Sequence, residues 1–204
     1  LHSLLGGTNG YISTAALVQG AASQLYGGTL YGGAGTAGTT FRITTNGTFT
    51  QVHSFEGGSI YANSFARASD GNLYGTTSGG GNLDLGTVFR LTTNGALTTL
   101  YSFRGASDGE SPMGLVQAPD GKFYGTAYRG GGSLGRGTVF QITTNGVLTP
   151  LYLFGGGNDG QNPGAKLLYA SDGRFYGTTE SGGAAGGYGT IFRISTSASY
   201  TQLY

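Results

Sequence analysis

A Gly-Thr-x-Phe element occurs four times in this chain: Gly38-Thr39-Thr40-Phe41, Gly86-Thr87-Val88-Phe89, Gly137-Thr138-Val139-Phe140 and Gly189-Thr190-Ile191-Phe192. The phenylalanines stand 48, 51 and 52 residues apart. Fifteen or sixteen residues before each lies a Tyr-Gly pair, at Tyr26, Tyr74, Tyr124 and Tyr176. A fixed period of this length means that one small supersecondary unit is copied along the chain. Each copy is too small to bury its own apolar face, so the copies must pack on one another. The expected units are 1–51, 52–99, 100–150 and 151–204, together forming a single repeat domain.

Within a unit the turn residues divide the chain into four short segments. In the third copy the first strand is read at 114–118. It is followed by Asp120-Gly121, a strand at 122–126, a glycine-rich loop at 129–136, a strand at 138–142, Asn145-Gly146 and a last strand at 147–154. Asp70-Gly71 and Asp172-Gly173 repeat the first turn, and Asn46-Gly47 and Asn94-Gly95 repeat the second. Asn-Gly and Asp-Gly suit two-residue type I′ hairpins, which need positive φ at both central residues. No stretch has helical periodicity, so the chain is read as all-β, a meander of four strands in each unit. Four-stranded units of 40 to 50 residues point to a β-propeller-like array, with a β-solenoid of large coils as the rival. Tyr26, Phe41, Tyr74, Phe89, Tyr124, Phe140, Tyr176 and Phe192 are the expected packing residues between neighbouring units.

Composition narrows the function. Glycine supplies 43 of 204 residues but follows no three-residue rhythm, which excludes collagen. The 14 Tyr and 11 Phe argue against disorder. Ten Lys and Arg among nine acids make no basic stripe for nucleic acid. No apolar run is long enough to span a membrane as a helix. Cysteine is absent, so no disulfide, Cys-based zinc site or redox site is available. Lys122 and Lys166 are the only lysines, and a surface built on Thr, Ser, Asn and Gln suits an exported protein. Residues 1–4 have no leader character, so any signal peptide is expected outside this chain.

The string Asp172-Gly173-Arg174-Phe175-Tyr176-Gly177-Thr178-Thr179, then a glycine-rich loop, then Gly189 to Ile194, resembles the GloVer tandem repeat. The resemblance covers all four units. It departs at Ala22-Ser23-Gln24, where Asp-Gly is missing, and at Ser195-Thr196-Ser197-Ala198, which replaces Thr-Thr-Asn-Gly. It implies a bacterial, exported, surface-anchored protein with a propeller-like fold, and no enzymatic activity.

Chemistry-bearing residues are few. His2 and His53 occupy a repeat position that Tyr101 and Tyr152 fill elsewhere, which marks a packing site rather than a general base. Glu56, Glu110 and Glu180 lie in different kinds of loop, and no spacing pairs them as catalytic carboxyls. Asp108-Gly109-Glu110 and Asn158-Asp159-Gly160 lack the ligand spacing of a calcium loop and read as solvated loops. Arg42, Arg90 and Arg193, with Gln141 in the third copy, follow the repeat Phe and are expected along the sheet surface against a tyrosine or a turn aspartate. No catalytic, metal or cofactor site is expected.

The function that follows is a non-catalytic extracellular structural or adhesive surface protein, self-assembling into a filament or layer. The alternative is a lectin-like propeller in which Tyr31, Tyr128 and Tyr188 cradle carbohydrate. Asn46-Gly47-Thr48 matches a glycan acceptor sequon. Residues 1–4 align with residues 52–55, and residues 201–204 with residues 50–53, so a strand at residues 1–5 is expected to pair with the final unit. With so little Lys and Pro to guard the edges, pairing within one chain and pairing between copies both stay open.

Overall fold

The computed structural model describes residues 3–13, 16–20, 23–56, 62–184 and 186–204. The chain forms two compact units, Leu1–Ser102 and Phe103–Tyr204. Each contains two four-stranded antiparallel sheets in sequential order. In the first unit, one sheet is β1 (Val18–Gln19), β2 (Gln24–Thr29), β3 (Thr36–Thr44) and β4 (Phe49–Glu56). The other is β5 (Ala62–Arg67), β6 (Leu73–Thr77), β7 (Thr87–Leu91) and β8 (Leu97–Ser102). The second unit has β9 (Glu110–Gln117), β10 (Phe123–Arg129), β11 (Thr138–Ile142) and β12 (Leu148–Leu153). Its last sheet is β13 (Leu168–Tyr169), β14 (Phe175–Thr179), β15 (Thr190–Ile194) and β16 (Tyr200–Gln202). One short 3-10 turn, Gly7–Asn9, is the only helical element among the described residues. The strands read from the third copy fall on β9 to β12, but β9 begins at Glu110 rather than at 114 and β10 continues to Arg129, where the loop was expected to start.

The Tyr-Gly pair and the Gly-Thr-x-Phe element lie directly across from each other. Gly27 pairs with Phe41, Gly75 with Phe89, Gly125 with Phe140 and Gly177 with Phe192. In each sheet the phenyl ring lies over the glycine, where a Cβ would collide with its tip. Phe89, Phe140 and Phe192 are fully buried as a result, and Phe41 nearly so. The tyrosine beside the glycine points to the opposite face, as strand alternation requires. Tyr26, Tyr74 and Tyr124 are buried there, while Tyr176 is only partly covered.

Sheets pack face to back inside each unit. In the first unit, Tyr26 and Ala37 of one sheet join Ala62, Phe65, Leu73 and Phe89 of the next in one apolar cluster. In the second, Tyr124 stacks on Phe175 with centroids 4.2 Å apart, and the Thr126 hydroxyl donates to Ala165 O at 2.9 Å.

The turns need a correction. Asp70, Asp120 and Asp172 do sit in hairpin turns, as do Asn46, Asn94 and Asn145, but these are not two-residue type I′ loops. Only the glycines Gly71, Gly121, Gly173, Gly47, Gly95 and Gly146 have positive φ. Gly95 N donates to Thr92 O, and Thr92 N to Ala96 O, both at 3.0 Å. That is a type I turn closed by a left-handed glycine, the usual three-residue hairpin loop. The side chains select it. The Asp70 carboxylate accepts from Asn72 N at 3.0 Å and from the Tyr74 hydroxyl at 2.9 Å, and Asp120 and Asp172 hold Tyr124 and Tyr176 at 2.8 Å. The Thr92 hydroxyl bonds Asn94 in the same manner in the second hairpin turn at that end of the sheet. Where glycine is missing, Ser23 (φ 59) and Ala198 (φ 65) adopt the same left-handed conformation.

Burial and the Asp70 hydrogen bond push the Tyr74 hydroxyl up to about 12. Burial acts to raise the Asp70 carboxyl as well, but the bonds from Asn72 and Tyr74 and the nearby Arg90 outweigh it and hold the group below its ordinary value. The recurrent arginines thus serve the turn end of the sheet: Arg42, Arg90 and Arg193 stand directly opposite Tyr26, Tyr74 and Tyr176, and Gln141 opposite Tyr124.

Thr40 occupies the position of Val88, Val139 and Ile191, and its buried hydroxyl finds no protein partner among the described residues. A buried, unpaired hydroxyl costs about 1–3 kcal/mol. Thr40→Val, nearly isosteric, is therefore expected to raise stability by about 1 kcal/mol. Urea unfolding would show a higher midpoint at unchanged slope, and a lower midpoint would refute the assignment.

The first residues also depart from expectation. Leu1 and His2 lie outside the described residues, and residues 3–5 form no strand. Leu5 is exposed and runs into the Gly6-Gly7 turn, whose left-handed backbone cannot continue a strand.

Candidate functional site at the glycine-rich loop edge

The loops after β10 and β14, and the segment leading from β12 to β13, meet at one edge of the second unit. Tyr128 closes β10 and donates to the Glu180 carboxylate at 2.6 Å, across 52 residues of sequence. That bond raises the Tyr128 hydroxyl above its ordinary value. Arg129 places its guanidinium carbon 5.5 Å from the centre of the Tyr128 ring.

Arg136 Nη1 donates to Gln161 Oε1 at 2.6 Å, and Gln161 Nε2 to Ser181 Oγ at 3.1 Å. Asn162 ties the edge together. Its amide nitrogen donates to Tyr128 O at 3.0 Å, its backbone N–H to Arg136 O at 2.9 Å, and its carbonyl accepts from Glu180 N at 3.1 Å. Asn162 does this with φ 58, a conformation that asparagine tolerates better than most residues. Gly164 leaves room for the Glu180 carboxylate, which a Cβ there would strike. The edge thereby gathers one carboxylate, two guanidinium groups, two amides, a phenol and a hydroxyl.

Other candidate groups are used internally. Asp108 is buried and accepts from Arg104 N at 3.0 Å, and Asp159 accepts from Gly155 N at 2.7 Å and the Tyr152 hydroxyl at 3.0 Å. Both close their own loops, so the Asp108 loop is not the solvated segment expected. Tyr200 stacks on Tyr152 at 4.0 Å and donates to Asp159 O at 2.7 Å. Among the described residues no three His, Cys, Asp or Glu side chains cluster as metal ligands. His53 lies edge-on to Phe55, and burial lowers its proton affinity, as a packing position should. His2 lies outside the described residues. Tyr31 is stacked on Tyr11 at 5.3 Å, Tyr128 is committed to Glu180, and Tyr188 is exposed. Asn46 is exposed at its turn, with its Oδ1 held by the Thr48 hydroxyl at 3.1 Å.

Sequence reasoning missed a buried threonine pair that closes the loop end of three sheets. The hydroxyls of Thr29 and Thr39 lie 3.0 Å apart, those of Thr77 and Thr87 2.7 Å, and those of Thr179 and Thr190 2.9 Å. Ala127 breaks the pattern in the third sheet, where Thr138 donates to Asp108 O at 3.1 Å instead. The signal was present as a threonine three residues after three of the four repeat tyrosines.

These sheets and edges define an all-β tandem-repeat protein. The chain belongs to the Gloeobacter/Verrucomicrobia repeat family, which it matches over residues 1–114 and 61–204. None of the curated proteins matches it. Among solved structures it resembles virginiamycin B lyase from Staphylococcus aureus, at 18% identity and TM-score 0.69, over 94% of this chain and 55% of that one. A gluconolactonase from Xanthomonas campestris matches at 18% identity and TM-score 0.60, over 88% of this chain and 58% of that one. A puromycin-hydrolyzing peptidase of Mycobacterium tuberculosis matches at 13% identity and TM-score 0.62, over 98% and 29%. The chain thus spans little more than half the length of the lyase. At such identities the likeness shows the fold alone.

The neighbours are enzymes built on a propeller-like fold, and they correct the expectation of a non-catalytic surface protein, whether self-assembling or lectin-like. A stack of four-stranded sheets is a scaffold, and chemistry is set by the loops it carries. No helix among the described residues is long and apolar enough to cross a membrane.

Proposed function

We propose that the four sheets are successive blades of a propeller-type array whose glycine-rich loop edge binds a small polar molecule. The observation that carries this reading is the Tyr128–Glu180–Asn162–Arg136–Gln161 network, which joins the loops of two successive sheets into one polar edge. Face-to-back packing inside each unit supports the blade assignment. The neighbours named above act on lactones, puromycin and virginiamycin, and a compact molecule with hydroxyl, amide or carboxyl groups suits the donors and acceptors of this edge. We also propose that the four sheets form one continuous repeat domain, exported from the cell. The scarcity of lysine and the surface built on Thr, Ser, Asn and Gln favour that location.

The test is a calorimetric titration of the 204-residue protein with gluconolactone, puromycin and quinupristin. Saturable binding of one of them is expected, weakened at least tenfold by Glu180→Gln and Tyr128→Phe with the fold intact. Binding by none of the three, or binding that both substitutions leave unchanged, refutes the reading.

A further inference from the structure

The two faces of the last sheet differ sharply in what covers them. Phe175, Phe192 and Ile194 face the preceding sheet and join Tyr124 and Val139 in one apolar cluster. The opposite face carries Leu168, Tyr176, Thr178 and Ile191, which pair across β13, β14 and β15. These are the repeat equivalents of Val116, Tyr124, Thr126 and Val139, whose face is the one covered inside the second unit. Val139 is 0% exposed and Ile191 is 44%. Leu168 is 65% exposed, and Thr178 is exposed where Thr126 is fully buried. Beside them, Thr178, Tyr188, Ile191 and Tyr204 line a cleft of about 460 Å³.

We infer that this face is a docking surface for one further four-stranded repeat of the same kind. The argument is continuity with an interface already present. Tyr124 receives the ring of Phe175, and the Thr126 hydroxyl donates to the Ala165 carbonyl of the next repeat. Tyr176 and Thr178 present the same ring and the same hydroxyl, with nothing on the chain's own described residues taking the second role. A repeat carrying Leu167, Phe175 and Phe192 on its rear face is the shape and chemistry that fits. In arrays of this type each added unit contributes a nearest-neighbour interface, so an occupant of this kind stabilises the unit it covers. The inference shares the blade assignment with the reading above but not its ligand, so stability and ligand titration fail independently.

The experiment extends the protein with a copy of residues 153–204 joined directly after Tyr204, which preserves the repeat register. Hydrogen exchange should show the Thr178 and Tyr176 amides at least tenfold better protected than in the 204-residue chain, and thermal unfolding should move upward. Ile191→Lys separates docking from mere folding of the added copy. In the 204-residue chain this exposed position should tolerate lysine with little loss, whereas in the extended chain the same change should abolish the added protection. Two results overturn the inference: protection unchanged by the extension, or protection that survives Ile191→Lys. A third does so as well, namely dimerisation of the 204-residue chain that Ile191→Lys abolishes, since the occupant is then a second copy.

Discussion

Phe140→Ala is expected to destabilise the second unit by about 3–5 kcal/mol, the range for emptying a buried phenylalanine site. The ring is 0% exposed, meets Phe103 edge to face at 5.3 Å, and lies across the bare backbone of Gly125. The surroundings cannot easily collapse into the void. Below the ring is a glycine with no side chain to move, and the strands on both sides are held by the β9–β10 and β11–β12 ladders. Urea unfolding followed by hydrogen exchange of β10 and β11 amides would read the loss directly. A change below about 1 kcal/mol would mean the ring is not a packing element, since exposed positions usually fall in that range.

The second large effect runs the other way, through excess volume. Gly177→Ala would place a methyl group against the tip of Phe192 and 2.8 Å from Leu167 Cδ2. Overpacking of this kind costs about 1–3 kcal/mol. Both obstacles are side chains, so shortening one should restore the fit: Phe192→Leu in the Gly177→Ala background is expected to recover more than half of the loss. Gly125→Ala should resist the equivalent rescue by Phe140→Leu, because its methyl group also meets the Gly114 carbonyl oxygen at 2.5 Å. A backbone oxygen cannot be mutated away. Thermal unfolding of both double-mutant cycles distinguishes the two sites, and equal rescue at each would show that the carbonyl moves freely.

The contrast between those two glycines marks the limit of what spacing reveals. That Tyr-Gly and Gly-Thr-x-Phe recur at one interval was enough to place them on adjacent strands, because a meander folds locally and each hairpin involves few residues. Which atom each glycine avoids depends on the neighbouring strand: β9 runs past Gly125, whereas β13 pairs only with Tyr176 and Phe175 and stops short of Gly177. The turns show the same division. Asn-Gly and Asp-Gly located every hairpin they were asked to locate, yet the loop type was set by Thr92 with Asn94 and by Asp70 with Tyr74, bonds that shape a type I turn before the glycine. Ser23 and Ala198 hold the glycine conformation without glycine, because the flanking ladder imposes it over a local preference.

The Tyr128–Glu180 edge had no signature at all in the chain, since its members are separated by 52 residues and come from two different copies of the repeat. The expected role suffered for the same reason. Composition spoke of an uncharged, glycine-rich surface, while the enzyme neighbours share an arrangement of sheets that composition does not describe.

What the sequence by itself determined is the period, the four strands in each copy, the positions of the turns, and the recurrent phenylalanines that lie buried. All of these follow from interactions within about 50 residues, which spacing and residue type encode directly. The tyrosine position did not hold throughout, since Tyr176 is only partly covered. The tertiary structure alone decided which face of each sheet is covered, which hydroxyls and carboxylates meet at the loop edge, and that Ile191 is exposed where Val139 is not. Identical repeats carry identical local instructions, and only stacking one copy on the next makes an inner sheet differ from a last one.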